Sequence, residues 1–168
     1  MPVVLRPYVP TDLPALVAVN DGAAPAVPVT PADELAELIA LARLTVVVDD
    51  GALAGFIVAL APGLDYASEN YRWFSERSSD FLYVDRIVLA PRLQGQGVGP
   101  RLYAAVEEAA RADGASEITC EVNLRPPNPG SLAFHARLGF VEVGRQQTKG
   151  GAYEVALLAK PVAAAPAG

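Results

Sequence analysis

FLYVDRIVLAPRLQGQGVGPRLYAAVEEAARADG, residues 81–114, reads as strand, glycine loop and helix in immediate succession. Residues 81–90 are a run of β-branched and aromatic residues interrupted by Asp85 and Arg86, which predicts a strand buried on both faces. Pro91 ends it. The loop Gln94-Gly95-Gln96-Gly97-Val98-Gly99 lacks a Cβ at every second position, so its successive backbone N–H groups can approach an anion closely. From Val98 the apolar residues Leu102, Val106, Ala109 and Ala110 recur at helical spacing, while Pro100 suits a first turn and Gly114 a C-cap. A helix therefore begins at the loop, and its free N–H groups and positive dipole end point there.

Several anion sites share that outline, and spacing separates them. A kinase-type P-loop closes in Gly-Lys-Ser/Thr, whereas Pro100 and Arg101 follow Gly99. A dinucleotide fingerprint places Gly-x-Gly-x-x-Gly directly after a strand. Here Gly95-x-Gly97-x-Gly99 comes after the spacer Pro91-Arg92-Leu93-Gln94, and Glu121 as a ribose carboxylate fits poorly. A glycine turn that only packs a helix on a strand stays open as the bland alternative.

Gln94-x-x-Gly97-x-Gly99 resembles the Gln/Arg-x-x-Gly-x-Gly/Ala loop of the GNAT superfamily of acetyl-CoA-dependent N-acetyltransferases. Downstream, Asn128-Pro-Gly-Ser131-Leu-Ala-Phe134-His135, closing in Gly139-Phe140, resembles that superfamily's second signature. Two motifs in the right order are far more specific than either alone. Together they cover the second half of the chain. The resemblance implies a single α/β domain over residues 1–160, with a mixed, mostly antiparallel central sheet flanked by helices. It also implies acetyl-CoA as co-substrate and an amine as acceptor.

Composition bounds the rest. A chain of 168 residues is one domain by length and can bury a sizeable core. No apolar run approaches the roughly 18 residues of a membrane span, and the first residues do not read as a secretory signal, so no membrane partner and a cytoplasmic location are expected. The single Cys120 rules out an internal disulfide and reads as a small buried strand residue rather than a nucleophile. A formal net charge of −6 argues against nucleic acid as a partner and mildly for cationic amine acceptors. No cluster of His, Cys and Asp with metal-ligand spacing occurs. Oligomeric state stays open, with a homodimer as the general prior.

In chain order, residues 3–8 predict a strand, Thr11-Asp12 a cap for a helix over residues 13–20, and Thr30-Pro31-Ala32-Asp33 a second helix start. Residues 44–48 and 52–60 predict a hairpin across Asp49-Asp50-Gly51. Residues 62–80 gather the only tryptophan with other aromatics and charges, as a long loop or a short helix. Tyr71, Trp73 and Phe74 are its candidate substrate-binding residues, the alternative being a lid that merely packs them onto the sheet. Residues 116–122 predict a strand, 131–138 a helix ended by Gly139, and 140–147 with 153–160 a final hairpin. The Ala/Pro-rich residues 161–168 read as a disordered tail.

Acetyl-CoA presents a pyrophosphate, a pantetheine arm and a thioester. The glycine loop, Gln94 to Gly99 with Gln96 and Val98, suits the pyrophosphate. Arg101 in the first turn adds a charge-assisted contact or is simply an exposed helical arginine. The resemblance places the arm against exposed backbone at Ile87, Val88 and Leu89, whose amides polarise the thioester carbonyl, and against Asn128 and Ser131. It offers His135, where many relatives carry tyrosine, as the proton donor to the departing thiolate; a packed helix residue is the alternative. Tyr83 and Asp85 alternate onto one face of the central strand. Asp85 is the candidate base there, or a structural partner of Arg86. A CoA-binding sensor without catalysis and a dinucleotide oxidoreductase are the rival functions.

Overall fold

The structure, a computed structural model, describes residues 2–163. Its strands are β1 (Val4–Pro7), β2 (Leu44–Asp49), β3 (Leu53–Leu60), β4 (Leu82–Leu89), β5 (Glu117–Arg125), β6 (Val141–Thr148) and β7 (Tyr153–Pro161). Its helices are α1 (Leu13–Asp21), α2 (Ala32–Leu41), α3 (Glu69–Arg77), α4 (Val98–Asp113) and α5 (Pro129–Leu138). The strands follow one sheet order, β1-β2-β3-β4-β5-β7-β6. This is the expected α/β class with a mostly antiparallel sheet. No helix among the described residues is long and apolar enough to cross a membrane.

Two compact units share β4. The first comprises residues up to Leu60 together with Val84–Val106. Its β1, β2 and β3 pair antiparallel, Val4 opposite Asp49 and Leu44 opposite Ala59. Five consecutive residues of β3, Phe56, Ile57, Val58, Ala59 and Leu60, are fully buried, which is why this strand reads as an unbroken apolar run. α1 packs on β3 and against α2, where Leu16, Leu35 and Leu38 are buried.

The second unit comprises Ala61–Tyr83 and the residues from Glu107 onward. Here β4 begins parallel to β5, with Leu82 opposite Ile118 and Tyr83 opposite Thr119. β7 lies antiparallel between β5 and β6. α5 ends where expected: Gly139 takes φ +100, and its N–H donates to Ala136 O at 3.1 Å. β7 runs on to Pro161, the first residue of the expected tail, and Val162 N donates to Ser116 O at 2.9 Å. Residues 164–168 of that tail lie outside the described residues.

Three local expectations are corrected. β4 is not buried evenly on both faces: from Val84 it alternates, with Val84, Arg86 and Val88 buried and Asp85, Ile87 and Leu89 half-buried. Asp12 does not cap α1, because its carboxylate is taken by Arg6, at 2.9 Å from both terminal guanidinium nitrogens, and by Val9 N. Pro31 is the N-cap of α2 and not its first residue, and the Thr30 hydroxyl before it donates to Pro28 O at 2.8 Å.

Candidate active site

The first unit carries the glycine loop. Beyond β4 a single helical turn, Pro91–Leu93, is held by the Arg92 guanidinium forked over Asp50, with both contacts at 3.0 Å. That hydrogen-bonded pair lowers the carboxyl pKa of Asp50. Gln96 Nε2 donates back to Arg92 O at 2.8 Å. Gly95 and Gly97 take φ +77 and +78, a conformation that L side chains rarely adopt. A Cβ at either would meet nothing within 4 Å. The glycines are therefore required by backbone conformation, and the space above them is open to an anion. Gln94 to Gly97 are exposed, Val98 and Gly99 are buried in the first turn of α4, and Arg101 is exposed.

Upstream of this loop β3 closes on β4. A Cβ on Gly55 would lie 2.5 Å from Val88 O and 2.9 Å from Leu89 Cδ2, so these strands approach as they do only because residue 55 has no side chain. Ala90 N donates to Ala54 O at 2.8 Å just past this point. Gly55 and the Arg92–Asp50 fork were missed by sequence reasoning. A lone glycine inside the apolar run of β3 was the available signal.

Asp85 is paired. Its carboxylate accepts from Arg86 Nε at 2.8 Å, and the two side chains are 6% and 7% exposed. Arg86 Nη1 also donates to Asn20 Oδ1 at 2.9 Å and Thr30 Oγ1 at 3.0 Å. Of the two readings open for Asp85, base or partner of Arg86, the structure contains the ion pair.

In the second unit, residues 62–80 contain a helix. Ser68 caps α3 by accepting from Tyr71 N at 3.2 Å. Tyr71 and Phe74 are 1% and 0% exposed. They form an aromatic cluster in which the Tyr83 ring lies 5.5 Å from Tyr71 and 5.9 Å from Phe74. Trp73 lies across Gly144, where a Cβ would meet the indole at 2.5 Å. The three expected substrate-binding residues thus pack α3 onto the sheet: two are core, and one covers the β6 bulge. Tyr83 is fully buried, and its hydroxyl bonds Glu121, at 2.9 and 2.8 Å from the two carboxylate oxygens. The strand pairing of β4 with β5 brings this pair together, and sequence alternation alone does not reveal it.

The second motif is α5. Asn128 is its N-cap, with Oδ1 accepting from Ser131 N at 3.3 Å. His135 is 3% exposed, its ring 5.1 Å from that of Phe134 and 5.2 Å from that of Phe140. Its Nδ1 lies 2.8 Å from Ser131 O and 3.3 Å from Ser131 Oγ. A carbonyl oxygen only accepts, so Nδ1 carries the proton of the neutral ring. Burial lowers the imidazole pKa below its ordinary value, partly countered by the bond to Ser131. At neutral pH this ring is uncharged and its one N–H is spent inside the helix.

Residues 19–140 match the model of the acetyltransferase (GNAT) family. The chain is 30% identical over 112 residues to the aminoglycoside N(6')-acetyltransferase type 1 of Serratia marcescens, covering 67% of this chain and 73% of that protein. The fold matches the ribosomal-protein-S18-alanine N-acetyltransferase of Escherichia coli, with TM-score 0.73, 19% identity, and coverage of 99% and 97%. It also matches yncA of Salmonella typhimurium, solved with its cofactor acetyl-CoA, with TM-score 0.70, 17% identity, and coverage of 100% and 98%. At those identities the last two likenesses speak for the fold alone.

Proposed function

The chain belongs to the acetyltransferase (GNAT) family, and we propose that it transfers the acetyl group of acetyl-CoA directly to a primary amine on a cationic small molecule. The observation that carries the donor side is the loop at residues 94–97. Two of its glycines hold left-handed backbone with open space above them, immediately before the first turn of α4. Main-chain N–H groups in that conformation, backed by a helix N-terminus, suit a pyrophosphate. In this reading Gln94, Gly95, Gln96, Gly97, Val98 and Gly99 cradle the pyrophosphate, and the backbone of Ile87, Val88 and Leu89 receives the pantetheine arm.

The reaction follows from the thioester. The amine lone pair attacks the acetyl carbon, the C–N bond forms, the C–S bond breaks, and CoA leaves as a thiolate. The proton lost by the nitrogen travels to sulfur or to water. A backbone N–H aimed at the carbonyl oxygen stabilises the charge that develops there. His135 enters as a neutral imidazole, since its environment disfavours the imidazolium that proton donation to sulfur would need. The formal net charge of −6 and the aminoglycoside relative both favour a polycationic acceptor.

Thiol release from acetyl-CoA across a panel of aminoglycosides, polyamines, amino acids and peptides tests this, with acetyl-CoA binding followed by calorimetry. Binding with turnover on a polycationic amine is the expected outcome. Binding without turnover across the whole panel would favour the non-catalytic CoA sensor. Absence of acetyl-CoA binding would sink the role given to residues 94–99.

A further inference from the structure

The most elaborate buried polar cluster of the first unit is not explained by acetyl-CoA binding. It is centred on Arg86, whose guanidinium holds Asp85 on one side and Asn20 and Thr30 on the other. Asn20 and Thr30 are 0% and 7% exposed. They bracket the segment between α1 and α2 and close it on itself. Asn20 Nδ2 donates to Pro28 O at 3.0 Å and to Asp21 Oδ1 at 3.1 Å, and Thr30 N donates to the same Asp21 oxygen at 3.1 Å. Each side chain is used in a complementary way. The Asn20 amide gives its N–H groups to the segment and its oxygen to Arg86, and Thr30 gives its O–H to Pro28 and accepts from Arg86. The segment is thus closed on itself by hydrogen bonds, and Arg86 ties it to β4 one residue before Ile87.

We infer that Arg86 is a positioning residue and that Asp85 is its fixed counter-ion, not the base. Together they tie the segment at residues 20–30 to the strand whose backbone at residues 87–89 is proposed to receive the donor arm. Arginine does not deprotonate in proteins, so the carboxylate beside it faces a permanent cation. Lysine cannot reproduce the clamp, because it lacks the planar fork that reaches Asp85, Asn20 and Thr30 at once. The functional side of this inference rests on the transferase reading above. The clamp itself rests on geometry alone.

Four variants, Asp85→Asn, Arg86→Lys, Arg86→Met and Thr30→Val, test it by amide hydrogen exchange and by steady-state kinetics. Thr30→Val and Arg86→Lys are expected to speed exchange both in residues 22–31 and in 84–89. Thr30→Val should raise the KM for acetyl-CoA about fivefold, the equivalent of one neutral hydrogen bond, because the loosened strand is the one proposed to receive the donor arm. Arg86→Lys should recover part of what Arg86→Met loses. Asp85→Asn keeps an oxygen for Arg86 Nε and should lose no more than about tenfold, against the 10²–10⁴-fold, roughly, of a missing general base. Exchange that changes in 22–31 but not in 84–89 would overturn the clamp. A loss beyond about a hundredfold in Asp85→Asn, with folding and acetyl-CoA binding intact, would make Asp85 the base. If the wild-type protein bound no acetyl-CoA, the transferase reading would fall, and the exchange data would still decide the clamp.

Discussion

The glycine loop at residues 94–97 and the node around Arg86 belong to the same unit and meet their chemistry by opposite means. The loop is exposed, and what it offers is main chain. Its glycines touch nothing where a Cβ would be and are required only by φ near +78. The node is buried, and what it offers is side chains, each hydrogen-bonded to the next. A functional group made of backbone constrains its own residue types locally, because only glycine adopts that conformation without cost. One made of side chains depends on partners brought from far along the chain. Asn20 and Thr30 stand 66 and 56 positions from Arg86.

The sharpest way to break this contrast is to remove the centre of the node. Arg86→Met removes the ion pair to the buried Asp85 carboxylate and should cost about 3–5 kcal/mol of folding stability by urea unfolding. Adding Asp85→Asn to it removes the buried negative charge and should return part of that loss. A cost below about 1 kcal/mol, the range of an exposed pair, would mean that water reaches the node.

The loop should respond to backbone conformation and hardly at all to side-chain size. Gly97→Ala forces an L residue into the left-handed region at a cost of about 1–2 kcal/mol, with no steric neighbour to add to it. Gly97→Asn, which tolerates that region better, should cost less. Calorimetry with acetyl-CoA should rank the three proteins wild type, Asn, Ala. Equal loss for Asn and Ala would mean that the open space above the loop matters more than φ.

These two regions also show how much could be read in advance. The strand, loop and helix of residues 81–114 were legible because apolar runs, alternate glycines and helical spacing are local signals. The end of the second motif was legible for the same reason, since Gly139 terminates α5 through its own backbone, whereas the Asn128 side-chain cap that starts the helix at Pro129 was not read. What was not legible is where polar side chains spend their hydrogen bonds. Asp12 looked like a cap and is taken by Arg6, Thr30 stood in a helix-start motif and is taken by Pro28 and Arg86, and Tyr83 meets Glu121 only through the pairing of β4 with β5. The aromatics of residues 62–80 were ambiguous for another reason. Tyr71 and Phe74 are three apart, which on a helix is one buried face and on a loop is nothing in particular.

His135 gives the smallest effect and the finest discrimination, because its two readings predict opposite signs. Its folded-state pKa is depressed below the ordinary 6.5, with burial as the main cause. From about pH 6.5 downward the unfolded chain therefore binds a proton that the folded protein resists, and stability must fall as pH falls toward the folded pKa. One proton sets a ceiling of about 1.4 kcal/mol per pH unit on that slope. His135→Phe keeps an aromatic ring between Phe134 and Phe140 and removes the titration, so subtracting its urea-unfolding profile from the wild type cancels the carboxylates that titrate in the same range. The difference should be flat above neutrality and should turn against the wild type below about pH 6.5. A ring poised to hand a proton to sulfur would need the charged form favoured, and the wild type would then gain on the variant as the solution is acidified. The sign of that one difference separates a histidine that packs and orders α5 from one that works as an acid.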